Sequence, residues 1–292
     1  MYLIEESVPG VSTARKTGMD NVLQRLFERN VEFHHILAVT DADTIPPKEW
    51  LEKIANGFSR PQIGCLAGTH EASKEIEEKI ERATGIKHYF NIIPSLIEFF
   101  EKNRIVLIKM SGPNSAFTAV AYAHGKGIKQ EYDPSGRIKL SEVNNLGNRI
   151  RQCGYKIAPM QCKVIKNRRR ELFEIINNCK NSYFPEGFST NGRFNVIRED
   201  ESELLDFACS NIPKETWEYY RHKMIYKVLN NFIFQPLILG DITNEKIREF
   251  FTSEEINFFL SICSSPLNFL NNQNTGKFFK NFLSHLEETL EL

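Results

Sequence analysis

The chain has 292 residues, with 37 basic and 37 acidic side chains and a formal net charge of zero at pH 7, which excludes a protein that coats nucleic acid with its whole surface and leaves any basic function local. A hydrophobic content of 41% with 25% charged residues is that of a globular chain, and six scattered cysteines without a CxxC pair argue against a disulfide framework or a zinc site. No apolar run approaches the ~18 residues of a membrane span, and no signal-peptide pattern opens the sequence, so the expected location is cytoplasmic.

Tyr2–Glu5 reads as a short strand and Pro9-Gly10 as a turn. Met19, Val22, Leu23, Leu26 and Phe27 recur at helical spacing, with Asn30 placed to close the helix. Ile36–Val39 is a continuous apolar run, as in a buried strand of a parallel sheet, and it ends in Thr40-Asp41-Ala42-Asp43-Thr44. Pro46-Pro47 then opens a helix to about Phe58 that is expected to bury Trp50, Leu51 and Ile54. Ile63–Gly68 is a second buried strand. Ser73 to about Lys102 is a charged, helix-rich insertion punctuated by Gly85 and Pro94.

Ile105–Met110 reads as a third strand. It runs into Ser111-Gly112-Pro113-Asn114 and then a short helix with Phe117, Val120 and Ala121 inward. After a turn at Asp133-Pro134-Ser135-Gly136, Ser141 caps a helix to Cys153 that Gly154 stops. Tyr155–Ile157 and Cys162–Ile165 are short strands, followed by Arg168-Arg169-Arg170. From Glu171 on, Phe, Asn, Leu and Glu recur at helical spacing, with loops near Pro185-Glu186-Gly187 and Pro213. The alternation predicts an α/β fold with a mostly parallel sheet and helices on both faces over residues 1–170, and a helical region over 171–292.

The stretch with the most chemistry is Asp41-Ala42-Asp43. Two carboxylates one residue apart, at the carboxyl end of a buried strand, lie where open α/β sheets hold their ligands. Like charges this close repel, so the pair is costly unless a cation bridges it. Hard oxygen donors suit Mg2+ or Mn2+, ions usually shared with substrate phosphates. The plainer reading is a loop with Asp43 or Thr44 as a helix cap, but a cap needs one carboxylate and not two.

Four segments together resemble the family-2 glycosyltransferases of the GT-A fold. Gly10–Asp20 (GVSTARKTGMD) is similar to their strand-to-helix segment, and TDADTIPPKEWL to their DxD metal motif with its proline and Trp-Leu. Ser111–Ile128 (SGPNSAFTAVAYAHGKGI) is similar to their GGN segment, and Ser141–Ile157 (SEVNNLGNRIRQCGYKI) to their acidic acceptor-site helix. The order and spacing cover roughly residues 3–170. The resemblance implies a partial GT-A sheet and transfer of a sugar from a nucleotide-diphosphate sugar to a carbohydrate or lipid-linked acceptor. It implies that Asp41 and Asp43 hold Mn2+ or Mg2+ on the diphosphate, whose charge grows as the sugar leaves. Gly112 and Asn114 would line the sugar, and Arg15 would reach the diphosphate, or else be a surface arginine.

Two departures stand out. The second acid of the acceptor helix, usually the base, maps onto Val143, so Glu142 is the remaining candidate base, or a residue that only balances the helix dipole. The family's first two, nucleotide-binding strands have no counterpart. The expectation is an open sheet edge in an incomplete product, in a fragment of a longer reading frame, or in a protein whose edge another chain covers, with impaired activity of the chain alone.

Lys163, Lys166, Arg168, Arg169 and Arg170 form a basic cluster in which Arg169 is a candidate diphosphate clamp, or a contact for an acidic membrane surface, or a solvated loop residue. His34 and His35 sit at the wrong end of their strand for a metal, and His124 reads as structural. The Phe-rich end (Phe232, Phe234, Phe250, Phe251, Phe258, Phe259) suits a helical core better than a partner or membrane surface. Two other functions compete. One is a phosphohydrolase of the haloacid dehalogenase type, with Asp41 as nucleophile, Asp43 as acid/base and Leu237-Ile238-Leu239-Gly240-Asp241 with Glu245 as its later motif. The other is a non-catalytic binding module.

Overall fold

The computed structural model describes residues 11–29, 35–103, 108, 110–129, 131–132, 138–139, 142–180, 200–229, 245, 248, 251–254 and 256–257. The expected strand at Tyr2–Glu5, most of that at Ile105–Met110, the turns at Pro9-Gly10 and Asp133–Gly136, and the Ser141 cap lie outside the described residues. So do Pro185–Gly187, the Leu237–Asp241 motif and every phenylalanine of the C-terminal set except Phe251.

The elements run α1 (Val11–Glu28), β1 (Ile36–Val39), β2 (Thr44–Ile45), α2 (Trp50–Gly57), β3 (Ile63–Ala67), β4 (His70–Glu71), α3 (Lys74–Thr84) and α4 (Ile92–Lys102). They continue as β5 (Ser115–Thr118), α5 (Ala119–His124), β6 (Glu131–Tyr132), β7 (Ile138–Lys139), α6 (Glu142–Gln152), β8 (Lys156–Pro159) and β9 (Val164–Lys166). The described helices that follow are α7 (Arg169–Lys180), α8 (Glu201–Asn211) and α9 (Lys214–Leu229). The fold is mixed α/β. Its residues divide into two units: one reaches to Glu71 and resumes over Ile108–Lys166, and the other takes Ala72–Leu107 and the chain from Asn167 onward.

In the first unit a four-stranded sheet has the order β1-β5-β3-β8. Leu37 pairs with Phe117 and Cys65 with Phe117, both antiparallel, while Cys65 pairs with Ile157 in parallel. So β1, β3 and β8 point one way and β5 runs against them. A mostly parallel sheet was expected, and this one is mixed. The difference arises because Ser115–Thr118, expected in a helix, is a strand between β1 and β3. The helix starts only after Thr118, whose hydroxyl accepts the Ala121 N–H at 3.2 Å. Phe117 and Ala121 are both inward, but one faces from a strand and the other from a helix, so a single helical period fits them by coincidence.

The sheet is covered on both faces. Leu37, Phe117 and Cys65, one cross-strand row, pack with Met19 of α1, Ala121 and Tyr122 of α5, and Val143, Leu146 and Ile150 of α6. The next row, Ala116 and Leu66, packs with Trp50 and Ile54 of α2. This alternation is the period of two of a strand. A smaller mixed sheet has the order β2-β9-β4, with Thr44 opposite Lys166 and His70 beside Val164. Because Thr44-Ile45 pairs there, α2 begins at Trp50 and not at Pro46-Pro47. Trp50 and Ile54 share its inner face; Leu51, expected inside, is 67% exposed, and Val22 and Phe27 on α1 are exposed too.

In the second unit, α3 is capped by Ser73 and stopped by Gly85 in the left-handed conformation. Pro94 is tolerated as the third residue of α4, where its missing N–H has no intrahelical partner. The core joins Ile76 and Ile80 of α3 to Tyr89 and Phe90, Leu172 and Ile175 of α7, Leu204 and Leu205 of α8, and Trp217 of α9. Trp217 stands edge-on to Tyr89 at 4.9 Å. Within it, Glu77 accepts the N–H groups of Phe90 and Asn91 at 2.8 and 3.0 Å.

On α4, burial and then the neighbouring carboxylate of Glu98 push the Glu101 carboxyl up to about 7. Such a shift means the folded state resists the charged form. The stability it contributes is full below the ordinary carboxylate value and is lost as pH rises through about 7. Urea unfolding at pH 4 and pH 8 is therefore expected to show Glu101→Gln close to wild type at the lower pH and more stable at the higher one.

Candidate functional site

One rim of the four-stranded sheet collects the residues singled out by sequence. Val39, Ser115 and Ala67 lie side by side in register. The chain leaving β1 therefore carries Asp41 to the same edge at which Ser111–Asn114 enters β5 and Gly68 leaves β3.

The loop into β5 is held from within. The Asn114 N–H bonds the Ser111 carbonyl at 3.3 Å, and the Ser115 hydroxyl donates to that same carbonyl. Asn114 itself is fully buried. Its Oδ1 accepts from Trp50 Nε1 at 2.9 Å, and its Nδ2 donates to the carbonyls of Thr69 at 2.8 Å and Cys162 at 3.0 Å. Both donors and one acceptor position are thereby used by the protein, so this amide braces the rim. Gly68 makes room for it: a Cβ there would stand 2.1 Å from Asn114 Nδ2.

Arg15, in the second turn of α1, projects over this rim. One nitrogen of its guanidinium donates to Asp41 Oδ1 and the other to Glu142 Oε1. The three side chains come from segments 26 and 127 residues apart. They are partly enclosed, with 14% of the Arg15 side chain, 29% of Asp41 and 17% of Glu142 exposed. A Cβ on Gly112 would come within 2.9 Å of both Arg15 terminal nitrogens, so the guanidinium lies against a bare backbone. Two helices set this geometry. The Tyr122 hydroxyl donates to Asp20 at 2.7 Å and holds α1. Val143, Leu146 and Ile150 seat α6 in the core, and Arg149 bonds the carbonyls of Gly125 and Gly127 at 2.8 and 2.6 Å.

Arg15, Asp41, Gly112 and Glu142 thus meet. Val143, at the position where a second acid is expected, is 2% exposed and turned into the core, so Glu142 is the acid the helix presents. Asp43 is exposed in the turn closed by the Thr44 N–H on the Asp41 carbonyl at 3.2 Å. Arg169 begins α7 in the second unit. Its neighbour Arg168 is 5% exposed, paired with Glu171 at 3.2 Å and stacked on Phe90 at 5.1 Å, which makes it part of that unit's core and not of a solvated basic loop.

Among the enclosed polar groups, Thr44 was named from sequence only as a cap candidate and Asn145 was not named. Thr44 Oγ1 and Asn145 Nδ2 are buried without a hydrogen-bond partner among the described residues. Asn145 lies three residues after Glu142, a spacing that puts both on one helix face and would have marked it.

Among the described residues no group of three or more His, Cys, Asp or Glu side chains is gathered to close around a metal. The rim instead offers two carboxylates a residue apart. That set fits Mg2+ or Mn2+, which take one or two carboxylates and complete their shell with water or phosphate oxygens. It does not fit zinc, which favours nitrogen and sulfur.

Asn114→Ala leaves an indole N–H and two carbonyls unpaired in the interior, and is expected to lower unfolding free energy by about 3 kcal/mol in urea titrations. Gly68→Ala, which displaces the same amide, is expected to cost about 2 kcal/mol.

Set against protein-family models and curated proteins, the chain matches none.

Proposed function

We propose that the chain takes part in metal-dependent transfer of a sugar from a nucleotide-sugar donor to a carbohydrate or lipid-linked acceptor. The observation that carries this reading is the meeting of Arg15, Asp41, Gly112 and Glu142 at one sheet rim. Four motifs that follow one another in a glycosyltransferase-like order contribute one residue each. A chance resemblance of four segments gives no reason for them to converge.

In this reading Asp41 and Asp43 hold a Mg2+ or Mn2+ ion, which offsets the negative charge growing on the departing diphosphate. Arg15 adds a forked donor suited to phosphate oxygens. Gly112 lets the ligand approach the main chain. Glu142 receives the proton of the attacking acceptor hydroxyl, since it is the carboxylate on that face. The finer GT-A sheet and a partner covering its edge belong to the same proposal. So does peripheral contact with a membrane; no helix of the described residues is long and apolar enough to cross one.

The test is release of nucleoside diphosphate from a panel of sugar nucleotides with Mn2+, Mg2+ or chelator. Activity that needs the metal and falls at least about 100-fold in Asp41→Asn and Glu142→Gln is expected. Turnover of p-nitrophenyl phosphate that is lost in Asp41→Asn, with no sugar nucleotide consumed, would replace this reading by the phosphohydrolase. Inactivity in both assays would leave the binding module.

A further inference from the structure

We propose that Arg15 is an internal counter-cation that competes with the divalent ion for Asp41, so that the rim without metal is neutralised by the protein itself. The inference deepens the reading above and rests on it for the choice of ion.

Asp41 and Glu142 approach one another from different segments, and both are partly shielded from water. Two carboxylates brought together in that setting need a cation between them. The guanidinium of Arg15 supplies it by bonding to both at once. Its planar fork can hold two separate carboxylates, whereas an ammonium acts as a point charge. Asp41 Oδ1, one of the oxygens a metal would use, is thereby engaged. A divalent ion arriving at Asp41 and Asp43 meets a positive charge already bound to its ligand. It must displace the guanidinium or share the carboxylate with it, and either costs affinity. The bare backbone of Gly112 is what lets the guanidinium lie at this point of the rim. An arriving diphosphate gives it a new partner. Metal and diphosphate are thus expected to favour one another, through one side chain that cannot serve Asp41 and the phosphates together.

The test uses the full chain and Mn2+ alone, with free Mn2+ read by its electron paramagnetic resonance signal and folding followed by thermal melting. Arg15→Gln is expected to bind Mn2+ at least about tenfold more tightly than wild type. Arg15→Lys should fall between the two, and Asp41→Asn should not bind. Glu142→Gln, which leaves the guanidinium wholly to Asp41, should bind no more tightly than wild type. Affinity in Arg15→Gln equal to or below wild type would overturn the proposal, because it would make Arg15 a brace for the metal site. If Arg15→Gln does not fold, Arg15→Lys decides on the same criterion. Sugar-nucleotide turnover separates the two ideas. Metal-dependent turnover without tighter binding in the variant removes the counter-cation alone. Tighter binding without any turnover removes the transferase reading and keeps the competition.

Discussion

The carboxamide of Asn114 is the interaction on which the first unit's rim depends. It joins the indole of α2 to the carbonyls beyond β3 and ahead of β9, all from a position just before β5. These are four segments with no covalent reason to stay together. A buried amide that bonds an indole and two main-chain carbonyls is both stabilising and exacting, since losing it strands several partners at once. The bonds fix where β5 begins, and therefore where Gly112 lies. The absence of a side chain on Gly68 is part of the same device.

The charged layer above that brace has a different character. Arg15, Asp41 and Glu142 carry a net single negative charge among them, and each keeps some contact with water. Partly exposed ion pairs of this kind add little to stability, because Coulomb attraction is offset by desolvation and lost side-chain freedom. Their arrangement is better explained by what they hold ready than by what they stabilise. Hydrophobic anchoring elsewhere on α1 and α6, through Met19, Val143 and Leu146, is what brings them together.

Much of this was legible from residues. Ile63–Ala67 became a strand buried at every position, and Ile36–Val39 a strand with Leu37 and Val39 buried and Ala38 exposed. Ser73 opened α3 with its hydroxyl as the cap, and Gly85, which has no Cβ, closed it in the left-handed conformation. Arg15, Asp41, Gly112 and Glu142 could be named in advance, because a motif fixes which residue types share a neighbourhood. Asn114 was named too, but an amide is equally suited to a sugar hydroxyl or a main-chain carbonyl, and only burial tells them apart. Arg168 sits in a run of like charges that reads as solvated; its enclosure comes from Phe90 and Glu171, and Phe90 is remote in sequence. β5 escaped because four residues are too few to separate a period of two from one of 3.6.

That short reversed strand makes the rim intolerant of changes in chain length. Adding or removing one residue between Ser111 and Asn114 would shift β5 by one place. Phe117 would then exchange faces with Ala116, bringing a large ring against Trp50 and Ile54 and leaving a void beside Leu37 and Tyr122. Loops that approach a ligand usually accommodate insertions readily; here the spacing of the loop and the packing of both sheet faces are a single variable.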